Sequence, residues 1–200
     1  MPTPTPDIID RLAGIQPGSR LHAIRSERPE ARDNAQKSYL ALFEPDVPST
    51  VTAEERLALA AFVAGLHGEP TIAEFYQNEL ARSGARAGVS EAVEQEIAAA
   101  AGQGPYGHYP EGPLSREDKD GPGYKVRDTH RLLLGSRLVA AFEHAHLLVF
   151  HPRDASASAL GALLAAGFST TDIVTLSQLV TFLAFQIRVV AGLRVVAAAA

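Results

Sequence analysis

The chain has 200 residues, a formal net charge of −5, 46% hydrophobic residues and no cysteine. That length suffices for one sizeable core. The absence of cysteine excludes disulfides, thiolate metal sites, iron–sulfur clusters and thiol catalysis, and the singly scattered arginines form no basic stripe for nucleic acid.

The leader MPTPTP has neither the basic nor the apolar region of a secretory signal, so the expected compartment is the cytoplasm. DIIDRLAGI predicts a short helix closed by Gly14. SRLHAIRSER and PEARDNAQKSYLALF predict a helical hairpin broken before Pro29. Residues 1–35 therefore read as an N-terminal helical extension of a single domain spanning 1–200. In TVTAEERLALAAFVAGLHG, Thr52 and Glu55 have capping-box spacing, and Leu59, Phe62, Val63 and Leu66 recur on one helical face. Gly68 ends that helix, Pro70 suits a first helical position, and PTIAEFYQNELARSG runs on to Gly84. Ser90 opens a further helix, SEAVEQEIAAAAG.

Helical patterning fails over residues 103–128, QGPYGHYPEGPLSREDKDGPGYKVRD. A stretch this long without regular structure is usually a functional lid or a disordered segment, and its tyrosines favour partial order. Order resumes with Asp128 as N-cap of THRLLLGSRLVAAFEHAHLLVF. ASASALGALLAAG follows, capped by Asp154 or Ser156 and ended by Gly167. The last helix opens with a second capping box, Ser169 to Asp172. No strand series is present. The expected fold is all-α, about eight helices in two halves divided by the loop. RLALAAFVAGLHGEP (56–70) and RLVAAFEHAHLLVFHP (137–152) look alike, each an Arg-led helix ending near His and Pro, but fall short of a repeat architecture.

Between Asp172 and Arg188 the apolar segment IVTLSQLVTFLAFQI is short of the roughly 20 residues a membrane span needs. It reads instead as a core or interface helix, so no membrane is expected and a homo-oligomer assembled through the C-terminal helix is.

Phosphate-cradling and nucleophile-elbow motifs are absent. Glu143, His144, His146 and His151 lie close in sequence, but residues two apart on a helix point about 200° apart, and no second Glu-x-x-His motif completes a di-metal set. No metal or cofactor is expected. Tyr106, His108 and Tyr109, with Glu111 and Tyr124, form a candidate ligand-binding group if the loop closes over a small molecule; the alternative is a loop packed on its own side chains. In LHGEPTIAEFYQNEL the helix joint places His67 and Glu69 beside a helix start, with Tyr76 about two turns further on. These three are the candidate catalytic residues, Glu69 and Tyr76 as an acid/base pair.

ERLALAAFVAGLHG, the break and the next helix, together with LGALLAAGFSTTDIVTLSQLVTFLAFQIRVVAGLRV, resemble the AhpD-like, carboxymuconolactone decarboxylase superfamily over residues 38–196. The likeness is closest to its peroxidase-related branch. It implies an AhpD-like multi-helix orthogonal bundle. Thiol-active members carry Glu, CxxC and His in a proton relay. Aligned on Gly68, those positions are here Leu57, Glu69, Ile72 and Tyr76; a shifted register would bring Glu54 or Glu55 to the acid position. No register supplies a cysteine, so cysteine-based peroxidase activity is expected to be absent. Two readings follow: a non-thiol enzyme acting on a small acidic or lactone-like molecule, or a non-catalytic ligand-binding or partner subunit on the same scaffold.

Overall fold

The computed structural model describes residues 6–47 and 49–199. Among them are nine α-helices and no strand. They are α1 (Ile8–Ala13), α2 (Arg20–Ser26), α3 (Pro29–Phe43), α4 (Ala53–Leu66), α5 (Pro70–Arg82), α6 (Val89–Ala99), α7 (Asp128–Phe150), α8 (Ala157–Ala165) and α9 (Thr170–Ala198). The all-α expectation holds.

The helix ends follow local chemistry. Both capping boxes form, with Thr52 and Ser169 each accepting from the third helical N–H while Glu55 and Asp172 accept from the cap residue's own N–H. Gly14 closes α1 in a left-handed conformation (φ 71°). Two starts differ from expectation. α6 begins after Gly88, not at Ser90, and Asp128 lies inside α7, whose cap residue is Arg127.

The α4 sequence is apolar on nearly every side, and a helix of that kind is stable only when surrounded. Residues Ala58 to Ala64 are all buried, because α3, α5, α6, α7 and α9 pack around them. Small residues set the spacing: a Cβ on Gly65 would lie 2.5 Å from Ile97 Cγ2, so α6 crosses α4 there at a distance only glycine allows. At the α4–α7 contact the rings of Phe62 and Phe142 stack 4.4 Å apart. The two halves thus share one core. The N-terminal segment is built into it: Ile8 and Ile9 are buried, α1 packs on α9, and Asp7 and Asp10 pair with Arg25 and Arg32 to tie α1, α2 and α3 together.

The C-terminal helix is longer than its apolar segment suggests. Arg188 and Arg194 do not end it, since Arg188 donates to Ala184 O and Arg194 to Leu12 O at the end of α1 (2.8 Å). By length and composition alone α7 and α9 could each cross a membrane, but both lie against other helices here.

α7 breaks at Gly135 (φ 76°, ψ 163°). The carbonyls of Leu133 and Leu134, released from the helical ladder, accept from Arg86, whose guanidinium is held by Glu54 at 2.7 Å. Nothing lies near a Cβ at Gly135, so the cost of a side chain there is backbone strain alone. Gly135→Ala is expected to lower stability by about 1–3 kcal/mol. Chemical denaturation checks this, and an unchanged midpoint would mean that the helix straightens at no cost.

Candidate functional site

Three regions hold the polar groups that chemistry would need, and the sequence anticipated two of them. At the α4–α5 joint, His67 caps α4 and Gly68 turns the chain with φ 70°. Glu69 precedes Pro70, and its backbone carbonyl accepts the first α5 amides, from Ile72 and Ala73. The Glu69 carboxylate makes no cap bond to the start of α5. It faces Arg194 of α9 instead, at 3.8 Å. A cation on the neighbouring helix attracts a carboxylate more strongly than partly exposed amides do.

Tyr76 is completely buried. Its hydroxyl donates to Gln186 Oε1 on α9 at 2.8 Å, and its ring stacks on Phe43 at 5.3 Å. Burial, with the Tyr39 hydroxyl nearby, holds its pKa well above that of an ordinary tyrosine, so it stays protonated at neutral pH. His67 is held below the usual histidine range by burial and by Arg188, and its Nε2 has no partner among the described residues. The joint therefore does not bring Glu69 and Tyr76 together: one looks outward to Arg194, the other inward to Gln186. Of the alternative acids, Glu54 is taken by Arg86 and Glu55 by Arg137 and the Thr52 cap.

The 103–128 loop is ordered by its own contacts. Tyr106 N–H donates to Phe150 O at 2.6 Å, and Gly107 pairs with Lys119 as an isolated bridge. The Tyr106 ring lies against His151 (5.2 Å), and a Cβ on Gly121 would fall 2.1 Å from it. His108 donates its backbone N–H to Asp154, and Tyr109 lies under the Arg153 guanidinium at 4.5 Å. The three candidate ligand residues thus point to three different neighbours. Tyr124, not they, lines the small cavity of about 220 Å³ between loop and α7. Its hydroxyl donates to Glu96 Oε2 at 2.6 Å; Glu96 is fully buried on α6 and also accepts from Arg127 Nε (2.9 Å) and contacts His130 Nδ1 (2.5 Å). Burial acts to raise the Glu96 pKa, but these hydrogen bonds outweigh it and hold the carboxyl below its usual range.

The α7 histidines separate as their spacing requires. His144 turns to α9, with Nε2 3.3 Å from Ser177 Oγ and a buried Nδ1 that has no partner among the described residues. His146 turns to the loop, against Tyr124 and Phe150. Glu143 pairs with Lys125 and Arg131. Among the described residues no three His, Asp or Glu side chains converge on a metal position.

The third region was not singled out from the sequence. A groove of about 780 Å³ runs between α3 and α9, walled by Ala31, Ala35 and Ser38 on one side and Gln178, Phe182 and Phe185 on the other. Arg56, from the first turn of α4, lies at its floor with only 4% of its surface exposed. Its Nε donates to Val51 O at 3.0 Å and its Nη1 to Leu42 O. Among the described residues no carboxylate pairs with it. Two features were visible in the sequence: an arginine leading an otherwise apolar helix, and small residues at helical spacing (31, 35, 38) along α3.

Comparison of the chain with protein-family models, curated proteins and solved structures gave no match.

Proposed function

We propose that this chain is an AhpD-like helical protein without thiol chemistry that works as a non-catalytic binding subunit. The observation that carries the reading is the divergence of Glu69 and Tyr76. General acid–base catalysis needs donor and acceptor within hydrogen-bond reach of one reacting group; here the Glu69 carboxylate lies on the outside, 3.8 Å from Arg194, while the Tyr76 hydroxyl is bonded to Gln186 inside the core. The enzymatic alternative, a non-thiol reaction of a small acid or lactone using Glu69, Tyr76 and His67, has less support for the same reason. A cytoplasmic home and a homo-oligomer belong to the proposal. The exposed apolar side chains Leu160 and Leu164 on α8 and Val174 and Val195 on α9, all outside the α3–α9 groove, support assembly; light scattering that finds only monomer would remove that part.

The purified protein should turn over no organic hydroperoxide with any dithiol reductant, since it has no cysteine to oxidise. Sustained turnover overturns the reading. Tyr76→Phe should leave any ligand binding intact and cost about 1–2 kcal/mol of stability, because the hydroxyl's bond to Gln186 is lost and an amide oxygen is stranded in the core. A catalytic Tyr76 would instead show loss of turnover without loss of stability.

A further inference from the structure

We propose that the groove between α3 and α9 binds an amphipathic monocarboxylate, a small organic acid with an apolar tail, through the guanidinium of Arg56. This names the ligand class of the binding subunit proposed above and rests on that reading.

A guanidinium carries five N–H donors. Arg56 gives two of its nitrogens to the carbonyls of Val51 and of Leu42 in the last turn of α3, which offset part of its charge but supply no ion partner. The carboxylates whose charge reaches it, Asp172 and Glu55, are committed elsewhere. Asp172 accepts from Ser169 and Thr50, and Glu55 from Arg137 and the Thr52 N–H. A buried cation without an ion partner is costly, so an anion reaching its free Nη edge gains more than it would at an exposed arginine. Burial pushes the Arg56 pKa below its usual value, and a bound carboxylate acts in the opposite sense.

The walls select the rest of the ligand. Arg56 is the one cation among the described groove-lining residues, so the site matches one negative charge and not a phosphate dianion or a dicarboxylate. Ser38, Ser49 and Gln178 offer neutral hydrogen-bond groups beside it, while Leu42, Phe182 and Phe185 make the apolar part. Phe185 is 47% exposed, and an alkyl or aryl tail would cover it. Among the described residues no histidine, aspartate or glutamate lines the groove, which suits holding a ligand over converting it. The volume falls within the ordinary range of small-molecule sites, about 300–1,000 Å³.

The test is calorimetric titration of the full chain with octanoate, with octan-1-ol, methyl octanoate and inorganic phosphate as controls. Octanoate should bind one to one, the alcohol and ester at least tenfold more weakly, and phosphate not at all. Arg56→Gln should abolish binding, but it also removes bonds to two carbonyls and threatens folding. Gln178→Glu is the second variant: it is exposed, lines the same groove, and supplies an internal carboxylate that competes with the ligand. It should weaken octanoate at least tenfold without lowering the melting temperature. Equal binding of octanoate and octanol, no binding at millimolar concentration, or full binding by Gln178→Glu each overturns the proposal. So does a dimer that Gln178→Glu dissociates, which would give the groove to a second copy of the chain. None of these outcomes bears on hydroperoxide turnover, which tests the non-thiol reading separately.

Discussion

Glu96→Ala is expected to lower stability by about 2–3 kcal/mol, the cost of removing a buried acceptor from the donors that it holds. Glu96 is fully buried and gathers Tyr124, Arg127 and His130, which among the described residues have no other carboxylate partner. All three lie at the end of the 103–128 loop or in the first turn of α7, so one α6 side chain anchors the loop's return to the core. Removing it strands the part-buried Tyr124 hydroxyl, while the exposed Arg127 guanidinium turns to solvent. Glu96→Gln should cost less, because an amide oxygen still accepts from Tyr124 while the charge is lost. Chemical denaturation reads the difference, and limited proteolysis should show the loop cut faster in Glu96→Ala. A midpoint within 1 kcal/mol of wild type, on the scale of an ordinary neutral hydrogen bond, would mean that Glu96 anchors nothing.

Stability should also fall as the pH drops from about 6.5 towards 4. His146 is pushed down to about 4, mainly by burial and further by His151, from an ordinary value of 6.5. Between those values the unfolded chain binds a proton at this site that the folded chain refuses. Because the unfolded state binds more protons, stability rises with pH across the window and is lost on acidification. For His146 alone the loss between pH 7 and pH 5 is about 2 kcal/mol. His67 and His144 are also held below the usual histidine range by burial and act in the same direction. Below about 4.5 the carboxylates take over: Asp7, Glu96 and Asp172 are depressed in the fold, so their contribution is present above their unfolded pKa and lost as the pH falls through the folded one. His146→Phe, a ring that can keep the packing with Tyr124 and Phe150, should flatten the slope between pH 7 and 5. A slope equal to that of wild type would remove His146 as its main source.

Helix positions were largely readable from the chain because their signals are local. The Thr52–Glu55 and Ser169–Asp172 boxes involve residues three apart, and Gly14 closes its helix without help from elsewhere. α6 starts at Val89, one residue before the expected Ser90, because Gly88 caps it with backbone conformation alone, where Ser90 has the better side chain. At the joint, spacing placed Glu69 and Tyr76 two turns apart on one helix, yet their partners come from α9, more than a hundred residues later. Nothing local announces that Arg194 and Gln186 claim them. The loop residues followed the same rule: Tyr106, His108 and Tyr109 look like a group in sequence, but His151, Asp154 and Arg153 draw them apart.

By itself the sequence determined an all-helical chain, its capped ends, its lack of thiol chemistry and a nearly all-apolar α4 that had to be enclosed. Each of these depends on residue type or on neighbours within a turn or two. Only the tertiary structure decided which polar groups face one another. It sent Glu69 to Arg194 and Tyr76 to Gln186, gave Glu96 the loop, and left Arg56 at the floor of a groove with two carbonyls and no carboxylate. The physical reason is that a hydrogen bond or an ion pair is satisfied by whichever group packing brings within about 3 Å, and chain distance carries no information about that.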